Sequence, residues 1–221
     1  MRKAVFVLVA LSTMGIEPAL AQTPIDIGIR GGVNLSDLDI ENESTDALTG
    51  FVGGGFATFH LGQIFFLQPE VLYSQKGATM HGLVSSRPTD IDVRLDYLEV
   101  PLLFGTEFFL RDFPITPRLY AGPTINFELS CDLEATIEGA DVSVECSDDE
   151  SGVSTKSPDF GVIFGGAAGL GIQRFKLWLD VRYQLGLTNI DDFSDDGSGD
   201  PAPTAKNRAW QFFLGLGIPV N

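Results

Sequence analysis

Long segments in which apolar and polar side chains alternate constrain the fold of this chain more than any other feature. In the segment from Lys176 to Thr188, the odd-numbered positions are all apolar, whereas the even-numbered positions include Asp180, Arg182 and Gln184. Successive side chains of a β-strand point to opposite faces of the sheet. The alternation therefore predicts a strand with one apolar face and one polar face.

The same pattern recurs along the chain and predicts seven more strands. Residues 160–172 alternate in this way just before the first segment, and only Gln173 and Arg174 separate the two, which predicts an antiparallel hairpin with a tight turn. The eight predicted strands are 24–35, 48–59, 64–76, 90–109, 116–130, 160–172, 176–188 and 207–220. The run Gly53-Gly54-Gly55 leaves the faces of the second strand undecided.

The apolar positions of the fourth predicted strand change from odd to even numbers part of the way along. They run Ile91, Val93, Leu95 and Tyr97, and then Val100, Leu102 and Phe104. One extra residue in a strand shifts the alternation in this way, so we predict a β-bulge at Tyr97–Leu98.

Eight antiparallel strands can close into either of two barrels. A soluble barrel is apolar inside and binds a small apolar ligand, whereas a transmembrane barrel is apolar outside. The predicted strands are long enough to cross a bilayer, which takes about 9–11 tilted residues. Their connections alternate between long and short, so that the long ones share one end. We predict an all-β, eight-stranded, antiparallel up-and-down transmembrane β-barrel, with the soluble exported barrel as the alternative.

The first 21 residues have the pattern of an export signal. Arg2 and Lys3 precede a short apolar run, and Ala19-Leu20-Ala21 matches a small-x-small cleavage motif. The apolar run is too short to span the bilayer as a helix. We predict a signal peptide over 1–21, cleavage between Ala21 and Gln22, and a barrel domain over 22–221. Because both cysteines, Cys131 and Cys146, lie in the exported part, we also predict a disulfide between them.

Acidic residues dominate the charge of the chain and concentrate in three predicted loops. The formal net charge is −16, and 18 of the 30 acidic residues lie in 36–47, 131–150 and 191–200. Such a charge excludes nucleic acid as a partner, because phosphates would be repelled. Five aspartates of the last loop could supply oxygen ligands to a hard cation such as calcium. They are Asp191, Asp192, Asp195, Asp196 and Asp200. Their spacing does not match an EF-hand loop, so we predict a solvated loop and no metal or cofactor.

Several charged residues fall on the polar faces of the predicted strands and would point into the lumen. They are Arg30, Glu70, Asp96, Glu99, Arg118, Glu128, Asp180 and Arg182. Buried charges must pair, and an eight-stranded barrel has room for side chains and little else. We therefore interpret this cluster as a structural filling of the barrel, without open conduction; a gated or narrow pore is the alternative.

The histidines give no support to a catalytic site. His60 is predicted in a short turn and His81 in a long loop, at opposite ends of the barrel, so neither forms a Ser–His pair. We predict a protein that is not an enzyme; a lipid-modifying enzyme of the outer membrane is the alternative.

Three segments resemble the PorT-like outer-membrane β-barrel family of Bacteroidetes-type bacteria. They are FFLQPEVLYSQKG at 65–77, LDYLEVPLLF at 95–104 and RLYAGPTINF at 118–127. The resemblance covers nearly all of the chain after the signal. It implies an eight-stranded barrel surrounded by outer-membrane lipid and inserted by the barrel-assembly machinery, in a family with mostly unknown activities. The chain departs from outer-membrane barrels that end on an aromatic residue, because it ends Pro219-Val220-Asn221.

From these observations we expect both termini in the periplasm and the long loops outside the cell. The expected role is a scaffold that displays its loops, or one that supports envelope integrity or secretion.

Overall fold

The structure is a computed structural model in which β-strands account for nearly all of the residues that it describes. It describes residues 24–40, 46–84, 87–110, 113–137, 140–145, 158–188 and 205–220. The strands are β1 (Ile25–Ile40), β2 (Asp46–Leu61), β3 (Phe65–Val84), β4 (Arg87–Glu107), β5 (Ile115–Ile137), β6 (Ala140–Glu145), β7 (Asp159–Ile172), β8 (Phe175–Gly186) and β9 (Ala205–Val220). Within these ranges there is no helix long and apolar enough to cross a membrane.

Eight of these strands close into a barrel in which every pairing is antiparallel. Each barrel strand pairs with the next along the chain, and β9 returns to β1, with Ile25 opposite Val220. β5 pairs along most of its length with β4; on its other side, its first half pairs with β7 and its last six residues pair with β6. β6 therefore extends β5 as a hairpin and does not enter the barrel wall. The predicted eight-stranded antiparallel barrel is confirmed.

The apolar face of each barrel strand points outward and the polar face points inward. In β1, Ile29 is 69% exposed while the neighbouring Arg30 is 6% exposed; in β9, Leu214 is 61% exposed and Gln211 is fully buried. A soluble ligand-binding barrel has the opposite arrangement, with its apolar side chains inside. The outer surface is therefore the apolar one, as in barrels that lie in a bilayer.

The apolar outer belt has the height of a bilayer core. Along β8 it runs from Leu177 to Leu187, ten residue steps, which is about 25 Å for a strand tilted by roughly 40°. Aromatic pairs lie towards both rims. Tyr183 and Trp210 have ring centroids 5.0 Å apart towards the loop end, and Phe65 and Phe104 stack at 5.8 Å towards the turn end.

Several strands continue well past this belt at the loop end. The predicted loop over 77–89 is wrong, because β3 runs to Val84 and β4 starts at Arg87, paired throughout. The predicted loop over 131–158 is likewise shortened by the end of β5 and by β6. Outside the bilayer the outer face of a strand no longer has to be apolar, so alternation need not mark the strand.

The register shift between β4 and β5 lies beside Tyr97, as expected, but the extra residue belongs to β5. Asp96 pairs with Ser130 and Tyr97 with Glu128, so Leu129 has no partner in β4. The prediction that the bulge lies at Tyr97–Leu98 is therefore wrong, because the bulged residue lies in β5. The inward positions of β4 are odd-numbered over its whole length. The apolar side chains in its loop-end half therefore point into the barrel interior.

The structure also settles the faces of β2. Val52 and Phe56 point inward and are buried, whereas Phe51 points outward and is 52% exposed. Gly54 is required here for close approach, because a Cβ at this position would collide with the carbonyl oxygen of Val71 in the adjacent strand.

Candidate functional site

Two arginines and two carboxylates form the middle layer of the barrel interior. Arg30 Nη1 lies 3.0 Å from Glu70 Oε1 and 3.1 Å from Asp180 Oδ2, and Arg182 Nη1 lies 2.8 Å from Glu70 Oε2. All four side chains are at most 3% exposed. They come from β1, β3 and β8, where alternation places each of them on an inward position.

Aromatic rings and hydroxyl groups complete this middle layer. The guanidinium of Arg182 lies 4.4 Å from the ring centroid of Phe213, and that of Arg30 lies 4.7 Å from Phe56. The Tyr120 hydroxyl donates to Asp180 Oδ1. Gly165 leaves room for this contact, since a Cβ there would lie 2.6 Å from the Tyr120 hydroxyl oxygen. Rings and charges together fill the cross-section of the barrel.

A second charged layer closes the turn end of the interior. Arg118 pairs with Glu107, and its guanidinium lies 3.6 Å from the ring centroid of Trp178. Asp26 accepts a hydrogen bond from Lys176 Nζ at 2.9 Å, and His60 Nε2 lies 3.1 Å from the same carboxylate oxygen.

The sequence prediction of this second layer was incomplete. It included Arg118 and left out Asp26, Glu107 and Lys176. Asp26 could have been predicted, because its even number places it on the inward face of β1, together with Arg30. The signal for Glu107 was also present, because its odd number places it on the same face of the predicted strand 90–109 as Glu99.

A third layer lies at the loop end. Lys76 Nζ and Glu99 Oε1 are 2.6 Å apart, and both side chains are fully buried. The Asn207 amide donates to the Tyr97 hydroxyl and to Asp159 Oδ2, each at 3.2 Å. Neither Lys76 nor Asp159 was among the predicted interior charges.

Of the eight predicted lumen charges, Asp96 alone lies on the outer surface. The residues on inward positions are Arg30, Glu70, Glu99, Arg118, Glu128, Asp180 and Arg182. Asp96 accepts hydrogen bonds from Tyr73 at 2.7 Å and from Ser130 at 3.3 Å, at the loop-side rim of the apolar belt. Its predicted place in the lumen is wrong because the inward positions of β4 are odd-numbered over its whole length.

Some predictions concern residues that lie outside the described ranges. These are the cleavage site at Ala21 and Gln22, the five aspartates between 191 and 200, and Cys146. Cys131 is buried near the loop end of β5. Asp132 pairs with Glu145, so the immediate sequence neighbours of the two cysteines are opposite each other. This supports the disulfide, which stays a prediction.

The interior geometry is that of a packed, charge-paired core. Across the described ranges, no three His, Cys, Asp or Glu side chains are grouped so that they could hold a metal ion. His60 lies at the turn end among Asp26 and Glu107, where its ring is a partner for carboxylates. The side chain of His81 is not among those described.

A closed eight-stranded barrel with an apolar belt about 25 Å high and paired charges inside defines an outer-membrane β-barrel. The comparison with protein families agrees with this class. The model of the family described as "Outer membrane protein beta-barrel domain" matches residues 20–192, and the chain belongs to this family.

One of the similar solved structures supports the same fold, and two others match at lower TM-scores. A major outer membrane protein from Thermus thermophilus is similar at a TM-score of 0.50 and 10% identity, over 89% of this chain and 99% of that one. Neisserial surface protein A is similar at a TM-score of 0.47 and 12% identity, over 87% and 96% of the two chains. The N-terminal barrel of Pseudomonas aeruginosa OprF matches at 0.40 and 12%, over 90% and 98%. A comparison with curated proteins gives no match.

Proposed function

We propose that this protein is a non-enzymatic outer-membrane scaffold that displays a β-sheet and acidic loops at the cell surface. The observation that carries the proposal is the paired extension of β3, β4 and β5 beyond the apolar belt. From Tyr73 at the rim, β3 continues for eleven residues to Val84, which is about 36 Å of strand. β4, β5 and β6 run beside it, so this extension is a four-stranded sheet.

The outer face of the extension is polar where its side chains are described, at 75–79 of β3 and 92–96 of β4, which suits display in water. Thr79 donates a hydrogen bond to Asp92 at 2.7 Å across β3 and β4, and Arg94 lies beside Asp92 with half of its side chain exposed. Gln75 donates to the Tyr73 hydroxyl at the point where the apolar belt ends. A surface of this kind serves contact with another molecule rather than contact with lipid.

The filled interior supports a role without transport. A permeating ion would have to break the buried pairs of Arg30 and Arg182 with Glu70, and separating a buried pair leaves an uncompensated charge. We propose that the barrel anchors the displayed sheet and does not conduct.

We further propose that the termini and short turns lie in the periplasm and that the long connections lie outside. In support, β1 begins and β9 ends at the same rim as two tight turns. One turn contains Gly62 with φ of 75°, and the other contains Gln173 with φ of 54°. Short turns on the periplasmic side and long loops on the outer side are typical of such barrels. This orientation requires export by the 1–21 signal and insertion by the barrel-assembly machinery.

Membership of the PorT-like branch, in Bacteroidetes-type bacteria, is also part of the proposal. The segments 65–77, 95–104 and 118–127 support it. These segments pair with one another in the barrel wall, as parts of the neighbouring strands β3, β4 and β5. Support of envelope integrity or of secretion would follow from a partner that binds this sheet.

Surface labelling of intact cells tests the display. A membrane-impermeant maleimide should label a Thr79→Cys variant, whose residue lies on the outer face of the extension. It should not label Gln63→Cys at a short turn, and the wild-type protein reports the background from its own cysteines. Labelling of the turn variant without the sheet variant would refute the orientation. A lipid A profile that changes on expression would refute the non-enzymatic role.

A further inference from the structure

The three charged layers of the interior differ in their charge balance. In the middle layer, two arginines face two carboxylates, and at the turn end Arg118 and Lys176 face Glu107 and Asp26. At the loop end Lys76 is paired with Glu99. Glu128 and Asp159 are further carboxylates on inward positions at this end. Among the residues whose side chains are described, Asp159 has no Lys, Arg or His within ion-pair distance.

The burial of Asp159 makes this imbalance significant. The residue is fully buried, and the described side chains that donate to its carboxylate are both amides: Asn207 Nδ2 at 3.2 Å and Asn126 Nδ2 at 3.4 Å, both on Oδ2. Oδ1 has no hydrogen-bond partner. An isolated carboxylate is strongly destabilised away from water unless a positive charge compensates it.

Two buried amides at the loop end also lack partners. Asn207 is 2% exposed and its Oδ1 accepts no hydrogen bond, and Gln184 is 1% exposed with both amide atoms unpartnered. Asn207 is the one of the two that contacts Asp159, and a Cβ on Gly186 would lie 2.8 Å from the Asn207 carbonyl oxygen, so β8 approaches β9 closely there. Buried amides without partners are rare in folded proteins, and each such group calls for an explanation.

We propose that the loop-end interior is a binding site for one small monovalent cation, held by Asp159 with the amide oxygen of Asn207. A single carboxylate matches a single positive charge, and amide and carboxylate oxygens are the ligands that hard cations prefer. The described residues hold no cluster of three acidic or imidazole groups, which a tight divalent site would need. An alkali metal ion and a protonated primary amine share this chemistry.

The acidic loops would supply such a cation. Eighteen acidic residues belong to the three acidic segments of the sequence, and the formal net charge of the chain is −16. A strongly negative surface raises the local concentration of cations. The site therefore lies below a region where cations accumulate, and it does not depend on whether the protein acts as a display scaffold.

The full chain, folded in detergent micelles, tests the proposal through its midpoint of thermal unfolding. The chlorides of sodium, potassium and methylammonium are compared at equal ionic strength with tetramethylammonium chloride, whose cation is too large for the site. At a cation concentration about five times Kd, the midpoint should rise by roughly 2–4 °C for the small cation that fits. The ranking of the three salts distinguishes an alkali ion from an amine.

The Asp159→Asn variant should lose this salt-specific rise, because it removes the charge and keeps the shape. Asp96→Asn is the matched control: it removes one carboxylate charge on the outer surface and should keep the rise. Equal midpoints of the wild-type protein in all four salts would overturn the proposal, as would a rise that survives in Asp159→Asn.

A second measurement covers the case in which Asp159→Asn does not fold. The sodium-23 NMR line of the wild-type protein should broaden and then sharpen on addition of potassium or methylammonium. Tetramethylammonium at equal ionic strength should displace only the ions held loosely by the acidic loops. If tetramethylammonium removes all of the broadening, the cations belong to the loops and the proposed site does not exist.

Discussion

Arg182 and Glu70 lie 112 positions apart in the sequence, yet Arg182 Nη1 donates a hydrogen bond to Glu70 Oε2 at 2.8 Å in the centre of the barrel. The two residues belong to β8 and β3, which are not neighbours in the barrel wall. The contact therefore crosses the lumen. Arg30 reaches the other oxygen of the same carboxylate, so Glu70 links two sides of the barrel.

We expect removal of one partner of this pair to destabilise the barrel more than removal of both. Arg182→Met or Glu70→Gln alone should each lower the free energy of unfolding by about 3–5 kcal/mol, because a buried charge is left uncompensated. The double variant should recover part of that loss. Urea unfolding of all four proteins in lipid vesicles measures the coupling, and strictly additive losses would contradict a direct interaction.

A methyl group at Gly169 should disturb the turn-end layer. A Cβ there would lie 2.5 Å from the Trp178 ring, which itself stacks on the Arg118 guanidinium. Gly169→Ala should cost about 1–3 kcal/mol through overpacking. Gly171→Ala, two residues further along the same strand, is the control, since nothing lies within 4 Å of its Cβ. Similar losses at both positions would argue against the packing explanation.

An arginine on the outer face should be most costly at mid-height. Val181 lies near the middle of the β8 belt and Leu187 near its loop-side rim. Val181→Arg should destabilise the barrel by about 2–4 kcal/mol in lipid, and Leu187→Arg by about 0–1 kcal/mol. The comparison is made by unfolding titrations in vesicles. An equal effect of the two variants would contradict the proposed position of the bilayer.

The predicted disulfide should leave no free thiol in the unreduced protein. Maleimide should label neither Cys131 nor Cys146 before reduction and both after it. Reduction should lower the free energy of unfolding by about 3 kcal/mol on the chain-entropy model. The Cys131→Ser/Cys146→Ser variant provides the control, because a reductant should not change its stability. Full labelling before reduction would refute the disulfide.

The barrel itself could be predicted from the sequence because alternation is a local signal. Residues two apart share a face, so a run such as Leu177 to Leu187 reports the apolar outer surface without any knowledge of its neighbours. The alternation of apolar and polar residues ended where the strands leave the bilayer. β3 continues from Tyr73 to Val84, and its inward residues Ser74, Lys76 and Ala78 stay buried, but residues 77–84 carry no apolar alternation that would reveal the strand.

The charges of the interior were predicted less well. A charged residue must lie on an inward position of its strand to reach the lumen, but that position does not reveal which residue it pairs with. The apolar residues of β4 change from odd to even numbers along the strand, and this change predicted that Asp96 points into the lumen. The change arises because the odd-numbered apolar side chains of β4 point into the barrel interior. Lys76 and Asp159 were on inward positions and were missed, since nothing in their immediate sequence distinguishes them from surface charges.

By itself, the sequence determined the eight barrel strands within the bilayer, the two faces of most of them and the membrane as the medium outside, since each follows from the polarity of residues two apart. The tertiary structure alone decided which charges meet. Arg30 reaches Asp180 across 150 positions only after β9 closes on β1, because barrel closure brings inward side chains of distant strands into one small space. It also decided that Asp159 is buried without a positive partner among the described side chains.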